Sequence, residues 1–157
     1  MESQKLVIFE TNNEEYGIPV EFVISIEKLG TITALPEMPI FLKGIMKVRD
    51  QLIPVLDTKE LLFSHSLEVS DKSRLILIET PEVTIGLLVE DAKEILETDQ
   101  NNIKELNLMT LQTSAYIKAM VNLENRLIAM LDPRSLLLSL KELEQIKEAV
   151  ENQQVLN

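Results

Sequence analysis

The chain has 157 residues, 45% of them hydrophobic and 26% charged, with a formal net charge of −11 and no cysteine. That balance suits one domain, or two small lobes sharing a core, and disfavours disorder. The acidic field repels nucleic acid and anionic membrane surfaces, and the missing thiols exclude disulfides, thiolate catalysis and Cys-ligated zinc.

No apolar stretch reaches the roughly 18 residues of a membrane span, and no basic-then-apolar signal pattern opens the sequence, so a cytoplasmic protein with no direct membrane insertion is expected. Leu6-Val7-Ile8-Phe9 is a short apolar run fit for a buried strand, with Glu15 to Ile18 as its hairpin partner across Asn12-Asn13-Glu14. A short helix is predicted to begin at Pro19 and span Val20 to Glu27. A second hairpin joins Ile45–Val48 to Leu52–Leu56 through Arg49-Asp50-Gln51, and Asp57-Thr58-Lys59-Glu60 then opens a helix as a capping box. The polar stretch 64–73 reads as a linker. Beyond it, Leu75 to Ile78 and Thr84 to Val89 form a third hairpin around Pro81-Glu82, and Met120–Leu123 with Leu127–Leu131 a fourth around Glu124-Asn125-Arg126. Asp50 and Asn125 occupy equivalent turn positions and tolerate left-handed backbone angles. Asp132-Pro133 starts a final helix predicted over 133–152, with Leu136, Leu140, Leu143 and Val150 on one stripe.

The hairpins repeat. Laid without a gap on Leu75 to Glu90, Leu6 to Glu21 matches at six of sixteen positions, Gly17/Gly86 among them. Phe41–Leu62 aligns likewise with Tyr116–Leu137, sharing Lys43/Lys118, Leu52/Leu127, Ile53/Ile128, Leu56/Leu131, Asp57/Asp132, Leu61/Leu136 and Leu62/Leu137. Two blocks in the same order indicate duplication. The expected fold is mainly β: one domain over 1–157, with repeat halves at about 5–63 and 74–140, short helices and a C-terminal helix.

Catalytic chemistry finds little purchase. The one histidine, His65, falls in the linker, and no Gly-x-Ser-x-Gly elbow exists. Gly17, Gly30, Gly44 and Gly86 are too dispersed for a phosphate-binding loop. The adjacent acids Glu14-Glu15 and Glu90-Asp91 lack calcium-loop spacing and read as a solvated turn and strand end. Aromatics make up only 4% and no basic face accompanies them, against oligonucleotide binding. No enzyme activity, cofactor or metal is therefore expected. Met38, Met46, Met109, Met120 and Met130 suit cores or adaptable interfaces. Arg49, at a hairpin tip, is a candidate interface anchor or an ordinary turn residue.

Residues 14–28, EEYGIPVEFVISIEK, and the stretch TALPEMPIFLKGIMKVRDQLIPVLDTKELL, followed by RLILIETPEVTIGLLVEDAKEIL, resemble the CheW family of chemotaxis adaptors from about 5 to 140. The family pattern has a Tyr/Phe-Gly/Ala-Ile strand, a Val-x-x-Ile helix, a Pro-x-x-Pro-like entry and then Gly-Val-Ile-Asn-Leu-Arg-Gly-x-Ile-Pro-Val-Ile-Asp-Leu. The resemblance implies two SH3-like five-stranded β-barrel subdomains and a non-enzymatic adaptor. Such an adaptor joins the regulatory domain of the histidine kinase CheA to the cytoplasmic tip of chemoreceptors (methyl-accepting chemotaxis proteins). It implies kinase contacts at the exposed ends of the subdomains and a receptor lying in the groove between them. Arg49 matches the motif arginine, and Gly44 the glycine that starts its strand. Lys47 stands for the usual Asn, Asp50 for the usual Gly, and Ser25 where some members carry an acid, with Glu27 close by. Arg49, Lys47, Gly44, Ser25, Glu27 and Asp50 are thus the expected partner-binding residues. A paralogue serving another chemosensory array, or a small β-barrel ligand-binding module, are the alternatives.

Overall fold

The computed structural model describes residues 2–81, 83–105 and 116–156, which leaves Glu82 and Met109 outside the described residues. Strands β1 (Ser3–Thr11) and β2 (Glu14–Pro19) pair with Leu6 opposite Pro19 and Phe9 opposite Tyr16. Asn12 and Asn13 both take positive φ, 54° and 62°, which gives the two-residue turn whose twist matches a hairpin. The hairpin β7 (Arg74–Glu79) with β8 (Thr84–Val89) repeats the register, Leu75 facing Leu88. Strands β5 (Leu42–Val48) and β6 (Gln51–Asp57) turn through Arg49 and Asp50, both at positive φ. Their repeat equivalents are β11 (Ile117–Leu123) and β12 (Arg126–Leu131), whose tip does not copy the first: Asn125 is not among the described residues with positive φ.

Residues 20–27 do not form a helix. A 3-10 turn covers Val20–Phe22, and β3 (Val23–Lys28) follows with alternating half-buried and exposed residues. The β-branched Val23, Ile24 and Ile26 suit the pleat, and β7 offers them a free edge, so sheet pairing overrides the helical spacing of Val-x-x-Ile. The remaining strands are β4 (Ile32–Thr33), β9 (Asp91–Asp99) and β10 (Ile103–Glu105).

The strands form two six-stranded sheets rather than five-stranded ones, ordered β10-β11-β12-β2-β1-β9 and β3-β7-β8-β6-β5-β4. Under the duplication, β10, β11, β12, β2, β1 and β9 correspond to β4, β5, β6, β8, β7 and β3. The two orders are then the same, and each sheet borrows the leading hairpin of the other half. The graft is parallel in both: Met130 of β12 lies beside Gly17 of β2, and Val55 of β6 beside Gly86 of β8. The lobes are therefore built from 23–81 and 83–89 on one side and from β1, β2 and residues 91–105 and 116–131 on the other, not from the repeat halves.

The exchange explains the uninterrupted apolar runs. Leu6 and Ile8 face the interior of the first sheet's lobe with Val121 and Ile128, while Val7 and Phe9 face the core between the sheets. Leu75 and Leu77 fill the other lobe with Met46, Val48, Ile53 and Val55, while Ile76 and Ile78 join the shared core. A strand buried on both faces needs no polar alternation. Asp57 caps α1 (Thr58–Phe63) by accepting from the Glu60 N–H at 3.0 Å, and Asp132 caps α2 (Pro133–Ser139) by accepting from Arg134 N–H at 3.0 Å. The expected single C-terminal helix is broken. Leu140 is extended, and α3 (Leu143–Leu156) starts afresh. The break turns α3 across the second sheet, where Leu143 and Ile146 join Leu42 and Leu56 in the shared core and Gln154 Oε1 accepts from the Leu52 N–H at 3.1 Å.

Candidate functional site

The β5–β6 tip and strand β3 are at opposite flanks of one curled sheet, and the curl brings them together. Arg49 Nη2 meets Glu27 Oε2 at 3.0 Å, with the arginine side chain 69% exposed and the carboxylate 22%. Arg49 holds φ of 48°, a left-handed angle that β-branched residues rarely adopt and that the tight two-residue turn requires. Ser25 shares the inward face of β3 with Glu27. The Ser25 hydroxyl first, and the Arg49 guanidinium after it, hold the Glu27 carboxyl below its usual range. Ser25 Oγ is buried and lacks a partner of full hydrogen-bond geometry, so it acts on Glu27 as a nearby dipole.

The other expected residues separate by role. Gly44 sits at the β5 bulge with φ of 145°, and a Cβ there would lie 2.1 Å from the Thr33 carbonyl oxygen. Its place is set by backbone approach, and it supports the tip without offering a side chain. Asp50 is the exposed second turn residue. Lys47 is exposed on the outer face of β5, beside Thr31, Thr33 and Gln153 of α3, away from the Arg49–Glu27 pair.

The other lobe carries a comparable tie made from different positions. Arg126 at the start of β12 donates from Nε and Nη2 to Glu15 at 3.0 and 2.8 Å, and its Nη1 reaches Glu94 of β9 at 3.3 Å. That bidentate clamp is stiff, whereas Arg49 has one contact in water. Sequence reasoning missed the exposed isoleucines on the two equivalent edge strands, Ile24 and Ile26 of β3 and Ile95 of β9. A strand position that alternates with half-buried neighbours becomes visible only once β3 is known to be a strand.

Of the paired acids, Glu15, Glu90 and Asp91 are half-buried and engaged, while Glu14 is exposed. Glu90 accepts from the Asn12 N–H at 2.9 Å and pairs with Lys59, and Asp91 pairs with Lys93. Glu14 accepts from the Tyr16 hydroxyl at 3.2 Å. His65 is exposed. Among the described residues no three His, Cys, Asp or Glu side chains gather as a metal site would require, and no helix is long and apolar enough to cross a membrane.

The CheW-like domain family model matches residues 5–141. The chain is 28% identical over 135 residues to the chemotaxis protein CheW of Bacillus subtilis, covering 85% of this chain and 86% of that one. It is 25% identical over 138 residues to the CheW of Klebsiella aerogenes, covering 87% and 82%. The crystal structure of the scaffolding protein TtCheW from Thermoanaerobacter tengcongensis superposes with a TM-score of 0.77 at 27% identity, covering 87% of this chain and 89% of that one. With the duplicated fold, the Gly44 bulge and the arginine at the β5–β6 tip, these matches place the chain in the CheW family of chemotaxis coupling proteins.

Proposed function

We infer that this chain acts as an adaptor between chemoreceptors and the histidine kinase CheA, binding the kinase regulatory domain and the cytoplasmic tip of the receptor. Arg49, Glu27 and Asp50 form the partner-facing region at the β5–β6 tip, with Ser25 behind Glu27, Lys47 as a separate exposed contact point on the outer face of β5, and Gly44 as backbone support. The observation that carries this reading is the exposed Arg49–Glu27 tie beside the outward isoleucines of β3. An exposed ion pair is worth about 0–1 kcal/mol, so a partner that competes for either member opens it at little cost. A partner sensitive to both arrangements is coupled to them, as transmission of a signal requires.

Calorimetric titration with the purified regulatory domain of CheA from the same organism tests the kinase half. Saturable binding in the micromolar range or tighter supports it. No binding by a folded sample refutes it and favours a paralogue for a different array. A receptor cytoplasmic fragment that binds wild type and Arg49→Ala equally would remove Arg49 from the receptor half.

A further inference from the structure

Among the described residues, the duplication places a filled site and an open one at equivalent ends of the two lobes. In the lobe built on β3 to β8, the linker returns after α1 and seals the barrel end. Leu67 is buried in the lobe interior with Val55 and Leu88, its N–H donates to Asp57 Oδ2 at 2.9 Å, and Lys43 Nζ donates to Ser66 Oγ at 3.2 Å. Lys43 also lies 3.4 Å from the fully buried Asp57.

The repeat equivalents of Lys43, Val55, Leu56, Asp57, Lys59 and Leu88 are Lys118, Met130, Leu131, Asp132, Arg134 and Pro19. All six, with Phe22, line an open cleft of about 230 Å³. The chain after α2 does not return here, because the break at Leu140 sends α3 to the other lobe. Met130 is left half-buried where Val55 is fully buried, and neither Lys118 nor Arg134 has an ion-pair partner among the described residues. Among the described residues, Asp132 Oδ2 accepts from Ser135 Oγ alone, at 3.1 Å, where Asp57 Oδ2 takes the linker N–H.

We propose that this cleft binds an extended acidic segment of a partner protein, which inserts a leucine-type side chain against Met130 and Pro19 and gives its backbone N–H to Asp132. The occupant is argued from the intramolecular precedent: the same framework, one repeat earlier, is closed by Ser66-Leu67-Glu68. The exposed cations at the rim, in a chain of net charge −11, select acidic flanks. A segment without helix is expected, since Leu67 sits in a stretch, 66–70, with neither helix nor strand. The site is distinct from the Arg49 region and stands independently of it.

The test is NMR titration of the full chain, methyl-labelled at methionine, valine and leucine, with a synthetic peptide copying residues 64–71. The Met130 methyl and Phe22 amide signals should shift saturably at millimolar peptide. Replacing the peptide leucine by alanine should abolish the shift. The double variant Lys118→Glu/Arg134→Glu, exposed at both positions, should keep the wild-type spectrum and weaken binding by roughly tenfold. Unmoved Met130 signals, equal shifts from the leucine-free peptide, or shifts confined to Val55 and Leu88 (the peptide replacing its own linker) would overturn the proposal. So would preferential binding of a helical peptide copying 143–156.

Discussion

Gly86 faces Leu75 inside one lobe, and a Cβ built there would lie 2.7 Å from both Leu75 Cδ1 and Cγ. Real side chains do not approach so closely, and Leu75 is fully buried in a close-packed interior, so making room shifts its neighbours as well. Overpacking of this kind costs about 1–3 kcal/mol, less the roughly 0.4–1 kcal/mol that alanine recovers from the unfolded chain. Gly86→Ala should therefore destabilise by about 1–2 kcal/mol, or roughly 2–8 °C in Tm for a domain of this size. At Gly17, the repeat equivalent, a Cβ would meet Leu6 Cδ1 at 3.1 Å and Ile8 Cδ1 at 3.2 Å, flexible methyl ends that yield by tenths of an ångström, and Ile128 Cγ2 at an ordinary 3.4 Å. Gly17→Ala should then be near neutral. Urea denaturation with an unchanged m-value reads both. Leu75→Ala alone should cost about 2–5 kcal/mol, and the double variant Gly86→Ala/Leu75→Ala less than the sum, because the new methyl occupies vacated space. An additive cycle, or equal effects at Gly17 and Gly86, would refute the steric argument.

Val55 is fully buried between Gly86 and the lobe interior, so Val55→Asp places a carboxyl among apolar side chains at a cost of several kcal/mol, a large part of the stability of such a domain. It should lose cooperative unfolding by circular dichroism, and a folded, soluble product would refute the register. Arg49→Ala should cost no more than about 1 kcal/mol and Arg49→Gly less, since glycine relieves the positive φ; a large drop in Tm would mark the tie as structural. In Arg49→Ala the Glu27 carboxyl, followed by NMR, should titrate closer to an ordinary glutamate yet stay depressed, because Ser25 remains. The Tyr16 phenol is pushed up well beyond the ordinary tyrosine value by burial and then by Glu14. The folded state thus keeps a proton that the unfolded state releases, so stability should hold below about pH 10 and fall as pH rises above it. Ultraviolet absorbance that shows Tyr16 ionising with a free tyrosine, while the fold persists, would contradict this.

The lining of the inter-sheet core was legible because burial on both faces leaves a strand no choice but to be apolar. Leu6 to Phe9 and Leu75 to Ile78 announce themselves in this way. The caps at Asp57 and Asp132 were legible because they act over three residues. Residues 20–27 were not: Val-x-x-Ile fits a helix and a pleated strand alike, and the open edge of β7 decided between them. Nor was the C-terminal break, because Leu136, Leu140 and Leu143 keep helical spacing through a point where packing on the second sheet redirects the chain.

By itself, then, the amino-acid order determined that four hairpins exist, that they are duplicated, and that an arginine marks the tip of one whose leading strand carries a lysine and a glycine. Which hairpins share a sheet was decided only in three dimensions. Backbone hydrogen bonds carry no label of their owner, so β2 joins β12 and β6 joins β8 because that graft buries both faces of β1 and β7 at once. The Arg49–Glu27 tie, the exposed isoleucines on β3 and β9, and the cleft at Met130 all follow from that exchange, which is why no local pattern foretold them.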